Sequence, residues 1–392
     1  MENAVNFKSI LMPRAGIDLY KWSVIACDQF TSNPKYWKEL ESLIKGAYST
    51  GHLTFPEIYL SDDVPLRIAA INTEMKRYIK EEVFFEHRDC AILINRATKY
   101  NPSRLGLVLS VDLEKYSFVP SDKALIRASE GTILSRIPPR IRIRENASVE
   151  LPHIMLLVDD KTGTLMEPLY EKHKKTAPLY DFDLNMDGGH ITGWKISDNA
   201  FIENALDGLL KEKTLVNKYG KDDKILFAVG DGNHSLATAK TAWNNIKQNL
   251  TDSQKLSHPA RFALVEINNI YDKGIKFEPI HRVVLGIDRQ KFLKNLPKAT
   301  SDTVGSVSEI QEYIDQYLLE NGGEVDYIHG RDEVVQIVKD NEHRGAAGII
   351  MPQMQKEEFF NYIVNKGTLP RKTFSMGEGI EKRYYLEARK II

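Results

Sequence analysis

The chain has 392 residues, and 53 Lys and Arg against 54 Asp and Glu leave a formal net charge of −1. This balance argues against a global field that draws the protein to an anionic membrane or to nucleic acid, which would need a local basic patch. No uncharged apolar run approaches the roughly 18 residues of a membrane span. Cys27 and Cys90 lie outside any metal-binding spacing and favour a reducing compartment, so we expect a cytoplasmic protein without a membrane partner.

The first part of the chain predicts strands and helices in alternation. Residues 22–26 indicate a buried strand, and Asn33-Pro34 is typical of a helix start. Asp28 therefore lies just past a strand end, where α/β proteins place ligand groups, although an Asp before a helix is more often a cap. Further elements are a helix over 66–82, an antiparallel strand pair at 90–95 and 105–112, a strand within 116–128 and a strand over 151–158.

A strongly basic passage covers residues 127–147, with Glu130 near its start and arginines at Arg136, Arg140, Arg142 and Arg144. Prolines 138 and 139 suit the first turn of a helix. As a helix, the passage places Arg140 and Arg144 on one face, and as a strand it adds Arg142 to them. The resulting guanidinium row either binds phosphate or carboxylate or forms a salt-bridged surface. Glu130 is a candidate base or a salt-bridge partner.

The second part of the chain continues the mixture of strands and helices. His190, which faces a site or packs in the interior, precedes a strand at 191–196. Later elements are a helix at 200–212, strands at 261–268 and 275–285, helices at 288–296 and 308–320, strands at 325–329 and 348–351, a helix at 356–365 and a strand at 383–388. This order predicts an α+β or α/β fold with mixed sheets and flanking helices. We expect two lobes, residues 1–200 with the basic segment and residues 201–392 with the central motif.

The central motif is ILFAVGDGNHSLATAKTAWNN at residues 225–245. It predicts a strand over 225–229, a turn at Gly230-Asp231-Gly232 and a helix from Asn233. Such a unit aims backbone N–H groups and the positive end of a helix dipole at one point, which favours a bound anion. Asp231, His234 and Ser235 crowd the same point and make it the best candidate active site.

A purely structural interpretation of the motif is also open. Asp231 or Asn233 would then cap the helix, the glycines would serve only the turn, and His234 would be a satisfied first-turn histidine. The spacing also lacks the Lys-Ser/Thr pair with which a P-loop holds a phosphate and its magnesium ion.

Six segments in order resemble motifs of the domain of unknown function 1015 family. They are ACDQF at 26–30, RASEGTILSR at 127–136, DGGHITGWKISD at 187–198, GDGNHSLATA at 230–239, EPIHRVVLGI at 278–287 and LPRKTFSM at 369–376. The likeness spans nearly the whole chain. Because that family is largely uncharacterised, the resemblance implies little about activity.

The central motif is also similar, over about ten residues, to the phosphate-binding turns of ParB-like, sulfiredoxin and free-serine-kinase proteins. That resemblance implies a nucleotide-dependent phosphotransferase acting on a small metabolite. The domain of unknown function 1015 family has an Asp-Gly-His-His-Arg motif at this place. Here Asn233 and Ser235 replace its first His and its Arg, so a cation that would neutralise phosphate is missing. Arg282, Lys372 or the row from Arg136 to Arg144 are the candidate substitutes.

The working hypothesis is an enzyme with an anion site at the central turn. Asp231, His234 and Glu130 are the expected catalytic groups, with Mg²⁺ and a nucleoside phosphate as cofactors if the reaction is phosphoryl transfer. The expected phosphate- or substrate-binding residues are Gly230, Gly232, Asn233, Ser235, Asp28, Arg136, His190, Arg282 and Lys372. The alternative is a non-catalytic regulatory protein that binds a nucleotide or another small anionic metabolite at the same turn.

Overall fold

The computed structural model describes residues 4–60, 63–132, 137–215, 218–219 and 223–391. The chain divides into two compact units, one formed by Met1–Ile275 with Gly379–Ile392 and the other by Lys276–Glu378. The predicted boundary near residue 200 differs from this division, because the strand of the central motif pairs with strands from the first 200 residues. In sequence, the second unit is an insertion in the first.

The helices follow the predicted amphipathic patterns in most places. They are α1 (Leu19–Trp22), α2 (Pro34–Ile44), α3 (Val64–Lys80), α4 (Ile137–Arg144), α5 (Met166–His173), α6 (Asn199–Leu215), α7 (Asn233–Ile246), α8 (Asp252–Ser257), α9 (Arg289–Lys294), α10 (Thr303–Asn321), α11 (Arg331–Asp340) and α12 (Lys356–Lys366). None of the helices in the described ranges combines the length and apolarity needed to span a bilayer.

The strands form one large sheet and several small ones. They are β1 (Val5–Asn6), β2 (Ser9–Pro13), β3 (Val24–Ile25), β4 (Phe84–Arg88), β5 (Ala91–Ala97), β6 (Leu105–Asp112), β7 (Tyr116–Ser117), β8 (Ile126–Arg127), β9 (Val149–Glu150), β10 (Met155–Val158), β11 (Tyr180–Leu184), β12 (Gly189–Ile196), β13 (Phe227–Asp231), β14 (Phe262–Asn269), β15 (Phe277–Leu285), β16 (Glu324–His329), β17 (Ala346–Ile349), β18 (Phe374–Met376), β19 (Tyr384–Tyr385) and β20 (Arg389–Lys390).

The first unit is built on a ten-stranded sheet of order β11-β12-β5-β6-β14-β10-β13-β8-β7, with β1 added beside β6. Most neighbours are antiparallel, whereas β10 and β14, β13 and β8, and β7 and β8 are parallel. Two-stranded sheets β19-β3, β2-β4 and β20-β9 complete this unit. The sheets are therefore mixed and flanked by helices, which confirms the predicted fold class.

The centre of the large sheet is buried on both faces. Along β5 and β6, alternate residues enter two different apolar clusters: Leu93 and Leu107 join one, and Ile92 and Val108 join the other. Because successive side chains of a strand point to opposite faces, burial of both faces requires an almost continuous apolar run. Helices α5, α6 and α7 contribute to the first cluster, and α2 and α3 contribute to the second.

The second unit has its own sheet, of order β16-β15-β17 with β18 also paired to β15, and all these pairs are antiparallel. Val284 of β15 packs with apolar residues of α9 and α10 around the buried Phe292. The next residue, Val283, packs with Val334 of α11. Strand alternation again places successive residues against helices on opposite faces.

Sequence signals predicted the secondary structure correctly where the stabilising interaction is between residues close together in the chain. The Asn33 side chain accepts a hydrogen bond from the backbone N–H of Tyr36 at 3.1 Å, so the Asn-Pro start of α2 is confirmed. Strands β5 and β6 form the predicted antiparallel pair. Two predictions were wrong in extent: Trp22 ends the helix α1 instead of starting a strand, and the predicted strand at 383–388 contains only the two-residue β19. The segment 116–128 holds two short strands, β7 and β8.

Candidate functional site

The central motif forms the predicted strand, turn and helix. The turn is shorter than expected, because Gly230 and Asp231 still belong to β13, whereas α7 begins at Asn233 as predicted. Gly232 makes the connection with a φ of +85°. A Cβ at this position would also lie 3.1 Å from Cα of Ile154, so both the backbone conformation and the space require glycine.

The start of α7 carries no side-chain cap within the described part of the chain. The interpretation of Asp231 or Asn233 as caps is therefore wrong. The Asp231 carboxylate accepts a hydrogen bond from the N–H of Gly232 at 2.9 Å. The Asn233 amide accepts one from the N–H of Ser129 at 3.0 Å and donates one to its hydroxyl at 3.1 Å. Asn233 thus holds the segment that carries Glu130, whose N–H lies 3.5 Å from the same amide oxygen.

A lysine supplies a cation at the turn. Nζ of Lys382 lies 2.9 Å from Oδ2 of Asp231, and the two side chains are 9% and 23% exposed. Burial alone would raise the pKa of Asp231, but the charge and the hydrogen bond of Lys382 and the N–H of Gly232 lower it below its ordinary value. The carboxylate is therefore ionised and paired near neutral pH.

A second imidazole, His153, lies at the centre of the site. His153 lies two residues before the start of β10, and its ring is almost fully buried. Nε2 lies 3.2 Å from the Ser235 hydroxyl and 3.7 Å from a carboxylate oxygen of Asp28. Nδ1 lies 2.8 Å from the Tyr385 hydroxyl. His153 therefore connects two predicted site residues, Asp28 and Ser235, with a tyrosine from the C-terminal segment.

The Tyr385 hydroxyl also contacts Cys27. It accepts a hydrogen bond from the N–H of Cys27 at 3.2 Å and donates one to Sγ at 3.0 Å. Burial and the adjacent Asp28 carboxylate raise the pKa of the Cys27 thiol to about 12. Burial and the thiol likewise raise the pKa of Tyr385 well above its usual range. Both groups are neutral at physiological pH and act as hydrogen-bonding groups.

Three arginines of the basic passage are paired with carboxylates, Arg127 with Asp223 and two others on α4. The passage forms the helix α4, so the helical interpretation, with Arg140 and Arg144 on one face, is the correct one. Arg140 binds Glu57, and Arg144 lies 2.6 Å from Glu150. The N–H of Glu57 donates to the carbonyl of Cys27 at 2.8 Å, which places the Arg140 ion pair beside the site. Arg142 is exposed, and Arg136 lies outside the described residues.

His190 lies on the surface of the β11-β12 hairpin and is not packed in the interior. Its two ring nitrogens each lie 2.7 Å from a carboxylate oxygen, of Asp183 and of Asp181. Partial burial would lower the pKa of His190, but hydrogen bonds to the two carboxylates raise it. The predicted role of this ring in anion binding gains no support from two adjacent carboxylates.

Arg282 and Lys372 belong to the second unit. The buried Arg282 guanidinium donates to the carbonyl of Lys372 at 3.0 Å and to that of Arg371 at 3.4 Å, and its Nε donates to Gln311 at 3.1 Å. Lys372 is exposed and adopts a φ of +59°. These contacts give Arg282 a structural role in the loop before β18.

The structure thus brings several predicted residues together in the first unit. Asp28 and Ser235 contact His153, Asp231 ends the strand before the adjacent helix start at Gly232 and Asn233, and His234 is half-buried in the first turn of that helix. Gly230 and Glu130 are half-buried beside them. His153, Lys382 and Tyr385 were missed, because their neighbours do not form a motif and distant strand pairs bring them to the turn.

A family model described as "Protein of unknown function (DUF1015)" matches residues 7–389. The chain belongs to the DUF1015 family. No curated protein matches this DUF1015 chain. Among solved structures it is similar to a conserved hypothetical protein from Pyrococcus furiosus, at 11% identity and a TM-score of 0.33, over 71% of this chain and 90% of that chain.

The chain is also similar to two structures of free serine kinase. One is a mutant in complex with ADP, at 10% identity and a TM-score of 0.37, over 72% of this chain and 91% of that chain. The other is a complex with AMP, at 10% identity and a TM-score of 0.35, over 72% of this chain and 91% of that chain.

Proposed function

We propose that this protein is a nucleotide-dependent phosphotransferase that acts on a small metabolite, with a phosphate group bound at the start of α7. The observation that carries the proposal is the convergence of Asp28, His153, Asp231, Ser235 and Lys382 at one uncapped helix start. Phosphoryl transfer uses acids, a base, a hydroxyl and an ammonium group. Here these groups come from four separate chain segments.

The start of α7 has the features of an anion site. A helix of 14 residues carries about half a positive charge at its first turn, where backbone N–H groups point outward. Gly232 leaves the main chain accessible, and Gly230, Asp231 and Gly232 are all partly exposed. Lys382 lies beside this turn, where its ammonium group is paired with the Asp231 carboxylate. It takes the place of the cation whose absence from the motif was noted in the sequence.

Two carboxylates are placed to hold a magnesium ion together with nucleotide phosphates. Asp28 lies 3.7 Å from Nε2 of His153, and Asp231 lies four residues before Ser235, whose hydroxyl contacts the same nitrogen. In nucleotide enzymes Mg²⁺ usually takes one or two carboxylates, with phosphate oxygens and water as its other ligands. Among the described residues, no group of three or more His, Cys, Asp or Glu is arranged to bind a metal by itself. We assign Asp28 and Asp231 to a cation that arrives with the nucleotide.

His153 is the best placed base in the site. A general base must lie within hydrogen-bond reach of the proton that it removes, and Nε2 faces the helix start where the phosphate would bind. His234 and Glu130 remain candidates for a second proton-transfer step at the same turn. Neutralisation of developing charge falls to Lys382 and to the N–H groups of α7.

The experiment is a substrate screen with matched variants. The full chain is incubated with ATP, ADP or CTP, Mg²⁺ and a pool of amino acids and sugars, and phosphorylated products are detected by mass spectrometry and 31P NMR. We expect a product from the wild type and from Lys390→Gln, an exposed lysine of the same segment. We expect at least a tenfold loss in Lys382→Gln and in Asp231→Asn.

Calorimetric titration with the same nucleotides separates an enzyme from a sensor. Nucleotide binding that needs Lys382, without a product from any acceptor, would favour the non-catalytic regulatory protein. Absence of both binding and turnover would overturn the anion site itself.

A further inference from the structure

Ser235 and His153 have the geometry of a nucleophile and its base. The Ser235 hydroxyl lies 3.2 Å from Nε2, and the opposite nitrogen, Nδ1, lies 2.8 Å from the Tyr385 hydroxyl. Activated serines share this arrangement, in which a base within hydrogen-bond reach is itself oriented by a third group. The ring of His153 is also packed edge-on against Tyr385, at a centroid distance of 5.7 Å and an interplanar angle of 81°. Its orientation toward Ser235 is therefore fixed by both packing and hydrogen bonding.

The hydrogen bonds of Tyr385 select the tautomer of His153. The single hydroxyl proton of Tyr385 is donated to Sγ of Cys27, and the hydroxyl oxygen accepts the N–H of Cys27. With that proton donated to Sγ, Nδ1 of His153 is the nitrogen that donates, since the oxygen can accept a second hydrogen bond but has no other proton to donate. Nε2 is left with a lone pair directed at the Ser235 hydroxyl. This is the tautomer that a general base for serine requires.

We propose that Ser235 is a nucleophile that carries the transferred phosphoryl group as a covalent intermediate. This inference rests on the proposed function for the identity of the donor, a nucleoside triphosphate. Oγ of Ser235 attacks the γ-phosphorus, and the bond from that phosphorus to the oxygen bridging it to the β-phosphorus breaks. The nucleoside diphosphate leaves, and the serine proton passes to Nε2 of His153. The N–H groups of α7 and Lys382 stabilise the transferred group, since they form the positive side of the same turn.

The second half of the reaction restores the serine. The hydroxyl oxygen of the acceptor attacks the phosphorus, the bond from phosphorus to Oγ breaks, and His153 returns its proton to Oγ. The proton of the acceptor passes to water in the site.

A phosphorus electrophile tests the nucleophile without any knowledge of the natural substrate. In diisopropyl fluorophosphate, attack by Oγ forms an oxygen–phosphorus bond, expels fluoride and transfers the serine proton to His153. We expect one adduct per chain, mapped to Ser235 by peptide mass spectrometry, from the wild type and from Ser42→Ala, a control at an exposed helical serine. We expect no adduct at position 235 in Ser235→Ala and a rate at least 100-fold lower in His153→Gln, the usual range for loss of a general base.

Tyr385 is a positioning residue, and its role has a spectroscopic signature. The 15N chemical shifts of His153 should report protonated Nδ1 in the wild type. In Tyr385→Phe they should move toward the Nε2-protonated form, with slower labelling of Ser235. A structural role alone would leave the tautomer unchanged. Ser235→Thr, which keeps a hydroxyl, provides a folded comparison if the alanine variant is unstable, and it should still form the adduct at a reduced rate.

The covalent intermediate and the proposed function fail in different ways. Acid-stable 32P on Ser235 after incubation with a γ-labelled nucleoside triphosphate would support both. Full product formation by Ser235→Ala would overturn the intermediate and leave the phosphotransferase intact, as direct transfer. Labelling by diisopropyl fluorophosphate with no nucleotide binding would support the nucleophile and overturn the nucleotide as its donor. Absence of an adduct at Ser235 above the level of Ser42 would overturn the nucleophile.

Discussion

The ion pair between Lys382 and Asp231 gives the sharpest prediction about this protein. Replacement of Lys382 by Gln leaves a carboxylate that is only 23% exposed without its cation. Truncation of one partner of a fully buried pair costs about 3–5 kcal/mol, whereas a fully exposed pair is worth about 0–1 kcal/mol. With exposures of 9% and 23%, the Lys382→Gln variant should lose about 2 kcal/mol of unfolding free energy.

A double-mutant cycle isolates the pair. Asp231→Asn alone should cost about 1–2 kcal/mol, because Lys382 then keeps an uncompensated charge in a largely buried position. The double variant should be more stable than the sum of the two single effects predicts, by a coupling energy of about 1–2 kcal/mol. Lys390→Gln, with the same change of charge at an exposed position of the same segment, should lie within about 0.5 kcal/mol of the wild type.

Urea denaturation followed by tryptophan fluorescence is the appropriate assay. All four tryptophans lie in the unit that contains Lys382, so the signal reports on that unit and not on the insertion. The pKa of Asp231 is lowered in the folded state, so its contribution is complete above the ordinary value of 3.8 and is lost as pH falls through the folded pKa. The difference between wild type and Lys382→Gln should therefore shrink below pH 3.8. Additive single effects, or a difference that persists in acid, would refute the pairing.

Three further predictions concern backbone strain, thiol reactivity and a surface histidine. Gly232→Ala should destabilise the protein by more than about 1 kcal/mol in urea, because φ is +85° and Ile154 is close, whereas Gly208→Ala in the open interior of α6 should stabilise it by about 0.4–1 kcal/mol. Cys27 should react with iodoacetamide at pH 8 about a thousandfold more slowly than a free thiol, because its pKa is about 12, and mass spectrometry of the labelled peptide checks this rate. An NMR titration should place the pKa of His190 above 6.5, and Asp181→Asn should lower it, since the carboxylate stabilises the charged ring. Stability contributed by this ring should be complete in acid and lost as pH rises through the folded pKa.

The elements that the sequence predicted are those with local physical causes. Helix α2 begins at an Asn cap followed by proline, and the β13-α7 connection needs a glycine with positive φ, so each leaves a signature within a few residues. Strand β11 was not predicted, because its sequence YDFDL is short and lies in a polar, turn-rich passage, although its residues alternate between apolar and acidic as in a half-buried strand. It pairs with β12 in antiparallel register, with Asp181 and Asp183 on the exposed face.

The residues of the site were predicted only in part, because only some of them have a local signal in the sequence. Asp28, Asp231 and Ser235 follow strand ends or a turn, which are places where function is expected. His153 reaches Ser235 because β10 pairs with β13, and Tyr385 reaches Cys27 because β19 pairs with β3. Lys382, which was not predicted, lies at the turn through the return of the chain after β18. No periodicity or motif in a single sequence encodes contacts between residues so far apart along the chain.

The return of the chain from the second unit explains why these distant residues are precisely placed. Two-residue strands are too short to fix a segment alone, but β19 and β20 are reinforced by side chains on either side. The Trp22 indole donates to the carbonyl of Leu386 at 2.9 Å, and the buried Arg389 lies 2.8 Å from Glu150. Lys382 and Tyr385 are therefore held by the packing of the first unit. Because groups that stabilise developing charge work best when they need no rearrangement during the reaction, this buried anchorage suits a catalytic site better than a mobile loop would.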